Sequence, residues 1–320
     1  MSEHALTFAS DFKSLAPGAW IKAMTDLGDT HGYFAHLGDR HMVTFMDAGP
    51  KLLVTFEDAE NIRTGQADGA PAGFKFVRNE GWSHLAVMSA GQSWFREDDV
   101  IQHFDRLTDD GFFDDFDQVL FTGDDAAAYA AAAFSVAAPG ARLLLTRPQA
   151  TQDPRKVAFD RRHLAQRRFD FTSRYGYAPE MIEAAQHAYI AFDPYQRMDA
   201  IHAALFARDN TTMLRCGGLG ANVKSTFRAM GIEDDLVRLA MDGTLDDAKF
   251  YAMMRARKDQ VSYRRNLVNL AQKHGHPRLA ATLCANELRD GFDPYYAKQL
   301  KELEGAGFAP LGVAVQAAAE

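Results

Sequence analysis

The sequence predicts a three-layer α/β sandwich with a mostly parallel sheet, followed by a helical subdomain. Two observations carry this reading. From Ser83 to Cys216, short apolar runs alternate with helix-patterned stretches; that alternation builds a parallel sheet covered by helices on both faces. From Ile232 to Gly305 the strand signal stops and amphipathic helical stretches follow one another. With 47% hydrophobic residues in 320, the chain can bury one large core and carry a helical appendage.

In chain order, residues 16–38 read as a helix and a Gly-punctuated turn. His41–Asp47 and Lys51–Phe56 read as strands joined by the tight turn Ala48-Gly49-Pro50, a hairpin. Residues 57–72 are polar and Gly-rich, a loop or short helix. Strands are expected at Ser83–Ser89, Val119–Thr122, Arg142–Thr146, Ala188–Phe192 and Thr211–Arg215. Helices are expected at Asp98–Leu107, Asp124–Ala138, Pro179–His187 and Met198–Arg208. The second of these stops at Pro139-Gly140, a helix-ending pair. Five further helices are expected, at Ile232–Asp242, Asp246–Arg257, Gln260–Lys273, Pro277–Asp290 and Pro294–Leu303. The domain division is then 1–231, with a basic lid-like insertion at 154–178, a helical subdomain at 232–306, and a tail at 307–320 whose Ala-rich end from Leu311 is expected to fray.

A net charge of −8 without a basic face excludes a general nucleic-acid binder. No apolar run approaches the ~18 residues of a membrane span. The N-terminal stretch lacks a basic and an apolar signal region, and two cysteines, Cys216 and Cys284, suit a reducing compartment, so a cytoplasmic location is expected.

The most informative stretch is Gln118–Tyr129. A short apolar run ends at Gly123, Asp124 and Asp125 follow, and small residues open an Ala-rich helix. This layout resembles the nucleophile elbow of α/β-hydrolases, a sharp strand-to-helix turn that needs small residues on either side of its tip. The resemblance implies a sheet of the α/β-hydrolase type, with Asp125 where the family has Ser and Tyr129 matching a Tyr of the elbow. It places the acid of the triad at Asp193, after the strand Ala188–Phe192. The histidine is expected after the last strand, yet Cys216–Asn222 contains none. His202, on the helix after Asp193, is the nearest candidate base. An Asp at the tip can act as nucleophile, as in the family's haloalkane- and epoxide-opening members, which still use a His. Two departures from the triad favour a chain whose chemistry is altered or lost, binding a small anionic or acyl molecule or, through the helical subdomain, a protein partner. The alternative is a hydrolase that uses Asp125. Acids at a helix start also cap it, which is the bland reading of Asp124-Asp125.

Gly91–Arg96, Asp109–Gln118, Ala130–Gly140 and Pro148–Pro154 resemble a group of alphaproteobacterial proteins commonly labelled phosphoadenosine phosphosulfate reductase. The phosphate loop and the C-terminal Cys-Gly-Leu-His nucleophile of true reductases are absent; Cys216-Gly217-Gly218-Leu219 is followed by Gly220.

Seven Lys/Arg against two acids fall between Arg155 and Arg174, and eleven acids against one Arg between Glu97 and Asp125. The basic run, Arg161 and Arg162 above all, is either an anion-binding lid or a solvated face that balances the acidic stretch. Cys216, Gly217 and Gly218, after the last strand, with Gly123 and Asp124, complete the expected ligand-binding set. No cofactor is expected. No metal site is expected at His31, His36, Asp39 and His41 either, since His31 and His36 are five residues apart.

Overall fold

The computed structural model describes Phe8 and residues 10–311; the tail after Leu311 lies outside the described residues. The chain opens with α1 (Pro17–His31), β1 (Gly32–Leu37), β2 (His41–Met46), β3 (Lys51–Asp58), α2 (Ala59–Gly65), α3 (Phe74–Glu80) and β4 (Ser83–Ser89). It continues with α4 (Asp98–Asp109), β5 (Gln118–Asp124), α5 (Ala126–Phe134), β6 (Arg142–Thr146), α6 (Ala178–Met181), β7 (His187–Phe192), α7 (Arg197–Leu205) and β8 (Thr211–Arg215). Then come α8 (Val223–Ala229), α9 (Glu233–Met241), α10 (Asp247–Met253), α11 (Val261–Lys273), α12 (Pro277–Arg289) and α13 (Pro294–Gly305).

The strands form one eight-stranded sheet in the order β1-β2-β4-β3-β5-β6-β7-β8. β2 runs antiparallel to both its neighbours, and every pair from β4 to β8 is parallel. With helices on both faces and a strand-to-helix elbow after β5, this is an α/β-hydrolase-like fold. The expected hairpin of His41–Asp47 with Lys51–Phe56 does not form, because β4 lies between the two strands. All six residues of β2 and all seven of β4 are buried. Strands apolar on both faces belong inside a sheet with a neighbour on each edge, which a two-stranded hairpin cannot give. β1 falls where the sequence suggested a turn. It can pair because Gly32 carries no side chain; a Cβ there would lie 2.3 Å from the Phe45 carbonyl oxygen.

The sheet is covered on one face by α4 and α5. The Ala run lets α5 lie close to the strands, and Ala128 and Ala130–Ala133 are fully buried. Phe56, Phe104 and Phe134 stack in the same layer. On the other face, α8, α9 and α10 cover Leu53, Leu120, Leu144 and Leu214 with Phe227, Leu236, Val237 and Phe250. The last three helices instead bury a cluster of their own around Val268, Cys284 and Tyr296. Among the described residues no helix is long and apolar enough to cross a membrane.

Four imidazoles, His41, His84, His103 and His202, are built into the interior. His84 is covered by Gly73, whose missing side chain leaves room for the ring, and its Nε2 lies 2.9 Å from Thr55 Oγ1. Burial pushes His84 down to about 3, and His103 and His202 down to about 4. The unfolded chain takes up these protons near pH 6.5 and the folded chain does not, so their contribution to stability is complete above pH 6.5 and falls away as the pH drops towards 4. At pH 5 each costs about 2 kcal/mol relative to pH 7. Glu57, Asp125 and Asp193, raised by burial, act in the opposite sense. The readout is therefore a single-residue difference. Urea midpoints of the parent chain should fall more steeply from pH 7 to pH 5 than those of His84→Gln; parallel pH profiles would refute the assignment.

Candidate functional site

The carboxyl ends of β3, β4 and β5 open into a cleft of about 450 Å³. Its walls come from Glu57 and Asp58, from the turn Gly91–Phe95, from Asp124–Ala127, and from Arg147, Lys224 and Arg228. Ligand sites of open α/β sheets lie at this edge.

Asp125 stands at the tip of the turn between β5 and α5 with φ 54° and ψ −115°. A residue with a side chain in this left-handed region costs about 1–3 kcal/mol and persists where its surroundings impose it. They do so here. The Asp125 N–H donates to the Thr146 carbonyl at 3.0 Å, and its own carbonyl accepts from the Tyr129 N–H at 3.0 Å. Gly123 is obligatory, because a Cβ would lie 2.3 Å from the Ala127 carbonyl oxygen. The Asp125 side chain makes no capping bond to α5. Burial lifts its carboxyl above the usual range; Arg147 and His163 oppose this, and Asp124 and Asp199 add to it.

Asp124 is bound by Arg147 through two parallel bonds, Nε to Oδ1 at 3.0 Å and Nη2 to Oδ2 at 2.7 Å. This fork fixes the base of the elbow against the end of β6. Arg147 is itself left-handed, with φ 48°.

Asp193 follows β7 as expected, but its carboxylate is engaged by backbone. It accepts from the N–H groups of Tyr195 at 2.9 Å, Gly218 at 3.1 Å and Gly220 at 2.6 Å. The loop after β8, where a hydrolase carries its histidine, is thereby tied down on the acid. Gly218 and Asp193 border a separate small cavity beside Tyr195 and Asn266. Cys216 is fully buried with its thiol 3.3 Å from the Leu214 carbonyl oxygen, and burial pushes its pKa far up.

His202 is turned into the protein. Its Nδ1 accepts from the Ala150 N–H at 3.0 Å and its Nε2 lies 3.1 Å from Asp160 Oδ2. Among the described residues no histidine hydrogen-bonds Asp125. Arg162 belongs to the same interior network, paired to Asp160 at 2.7 Å and Asp199 at 2.6 Å, while Arg161 is exposed and does not line the cleft. Of the residues expected from the sequence, Asp124 and Asp125 line the cleft, and Gly123 shapes the turn beneath them.

The segment 154–178 is clamped by Arg96, which is 5% exposed. Its guanidinium donates to the carbonyls of Asp170 and Arg174 and to Ser173 Oγ, each at 2.8 Å. Cleft residues that sequence reasoning did not single out include Glu57, Ser93, Trp94, Arg147, Lys224 and Arg228. Glu57 is held by Thr55 Oγ1 at 2.7 Å and by the Ala72 N–H at 3.1 Å. Gly91–Arg96 drew notice as a stretch, without a role. Among the described residues, no group of three or more His, Cys, Asp or Glu is placed to hold a metal ion.

No protein-family model matches the chain, and no curated protein matches it. Several solved structures are similar in fold. The capsule O-acetyltransferase of Neisseria meningitidis serogroup A aligns with TM-score 0.41 and 11% identity over 62% of this chain and 91% of that one. A glycosylation-associated protein complex (Gap123) from Streptococcus agalactiae gives 0.43 and 14% over 64% of this chain, which spans 45% of that one. A putative thioesterase from Silicibacter sp. TM1040 gives 0.41 and 14% over 70% of this chain and 92% of that one.

The elbow geometry makes Gly123→Ala a sharp test. The added methyl meets backbone rather than a flexible side chain, so a loss of about 1–3 kcal/mol is expected in urea unfolding. Ala127→Gly keeps the turn's space open and should cost about 1 kcal/mol or less, as Gly for Ala in a helix. Equal losses in the two variants would argue against this turn.

Proposed function

We propose that the cleft above the elbow binds a small molecule bearing an acyl or anionic group, and that Asp125 anchors this ligand rather than attacking it. The observation that carries the reading is the fate of Asp193. Its carboxylate is spent on the amides of the loop after β8, and among the described residues no imidazole hydrogen-bonds it. A carboxylate at the tip, with no hydrogen-bonded imidazole among the described residues, lacks the base that ester turnover at this position needs.

The binding chemistry is supported from two sides. The first N–H groups of α5 have no partner within the helix, and Ala126 and Ala127 line the cleft. Lys224 and Arg228 line the opposite side, Lys224 Nζ 4.0 Å from Glu233 and Arg228 paired to the same carboxylate. Beyond Glu57 and Lys224 a small apolar recess lined by Leu53, Phe76, Leu144 and Phe227 has room for about a methyl or ethyl group. A short acyl tail fits there.

A second reading draws on the strain at Asp125, which is kept although its carboxylate makes no capping bond to α5. On this reading Asp125 opens a haloalkane or epoxide through an ester intermediate. Incubation with such a substrate, followed by mass measurement of the Asp125 peptide, would reveal the adduct.

Calorimetric titration with butyrate and acetyl phosphate tests the first reading. Saturable binding is expected, weakened about tenfold by Lys224→Met, which is about 1.4 kcal/mol. No saturable binding of either compound at millimolar concentrations would refute it.

A further inference from the structure

Three side chains from separate elements meet beside the cleft. His41 is the first residue of β2 and pairs in register with Ser89 at the end of β4, so it stands at the same sheet edge as Asp125. Ser93 lies in the turn after β4, and Glu97 precedes α4. Ser93 Oγ is 2.6 Å from His41 Nε2. On the other side of the ring, Nδ1 is 3.4 Å from Glu97 Oε2, longer than a formed hydrogen bond. Such contacts are often loose before substrate binds. The second oxygen of Glu97 is held by Arg40 Nη1 at 3.2 Å.

The Phe95 N–H donates to Ser93 Oγ at 3.2 Å, and a hydroxyl that accepts there keeps its own proton free to donate. The relay requires Nε2 as the acceptor, with the ring proton on Nδ1, on the side of Glu97. Burial lowers His41, with Glu97 opposing, so the ring is neutral at pH 7 and able to take a proton.

The backbone here is strained in support of the arrangement. Trp94 and Phe95 are both left-handed, with φ 57° and 56°. Two successive residues of this kind cost about 1–3 kcal/mol each, and they fold the Phe95 amide back onto Ser93. Trp94 is 1% exposed, and among the described residues its indole N–H has no acceptor. Ser93 and Trp94 both line the cleft.

We propose that Ser93, His41 and Glu97 form a serine–histidine–acid relay that transfers acyl groups from small esters or thioesters held in this cleft, away from the elbow. It rests on the reading of the cleft as an acyl-ligand site. Ser93 Oγ bonds to the acyl carbon as its proton passes to His41 Nε2. The bond to the leaving alcohol or thiol breaks as His41 returns that proton to it. Water then attacks the Ser93 ester, giving a proton through His41 back to Ser93 and releasing the acid. Glu97 orients the ring and stabilises its charge; Ser93 stays the group that bonds to the acyl carbon. Ser93 is 1% exposed, so the turn that carries it must open for an ester to reach the hydroxyl.

The test is labelling with an alkyl fluorophosphonate, read by peptide mass, alongside butyrate titration. In the parent chain the label should sit on Ser93. His41→Gln should slow labelling at least about a hundredfold while the circular dichroism spectrum is kept. Ser93→Cys should lose the phosphonate label while the circular dichroism spectrum is kept. A folded parent chain that takes no label on Ser93, or labelling unchanged in His41→Gln, overturns the relay. If butyrate binds and Ser93 stays unlabelled, the relay falls and the cleft reading stands. If Ser93 is labelled and butyrate does not bind, the relay stands and the ligand reading falls.

Discussion

The turn at Asp125 exists because Gly123 has no side chain. Backbone of α5 passes where a Cβ would be, and that contact sets the angle at which the helix leaves the sheet. The angle in turn lets the Ala face of α5 lie flat on β3 and β5 and brings the start of the helix to the cleft. The Asp124–Arg147 fork ties the same turn to the next strand. Without this close approach the cleft would lose one wall, and α5 could not bury its Ala face in the core.

Much of this was legible in the sequence, for stated reasons. Ser83–Ser89, Arg142–Thr146 and Thr211–Arg215 were readable as strands because each is a short apolar run between turn residues. The elbow was readable because small residues cluster around two acids in a pattern that only a tight strand-to-helix turn needs. Pairing order was not readable. Periodicity around His41–Asp47 and Lys51–Phe56 says that both are strands, and nothing local says that Ser83–Ser89 inserts between them. β1 was hidden in a Gly-bearing stretch where a turn is the default expectation.

The candidate site was legible only in part. Asp124 and Asp125 are adjacent in sequence and stand together in the cleft. His41, Ser93 and Lys224 come from three distant parts of the chain, and no spacing rule connects them. His41 was weighed against His31 and His36, its neighbours in sequence, whereas its functional partner is 52 residues away. His202 shows the converse. Its place in the chain suited a base, but the buried Asp160 and the Ala150 amide hold both of its nitrogens.

The placement of β4 between β2 and β3 bears on how the protein assembles. β3 is synthesised before both of its neighbours, so it must wait, unpaired on both edges, until residues 83–89 and then 118–124 arrive. The cleft waits longer still, since Lys224 and Arg228 reach it from α8, after the last strand. Contacts of such sequence separation close late and slowly. The half-made sheet, with the apolar edge of β3 bare, is therefore the stage at which this chain is most open to pairing with another copy of itself.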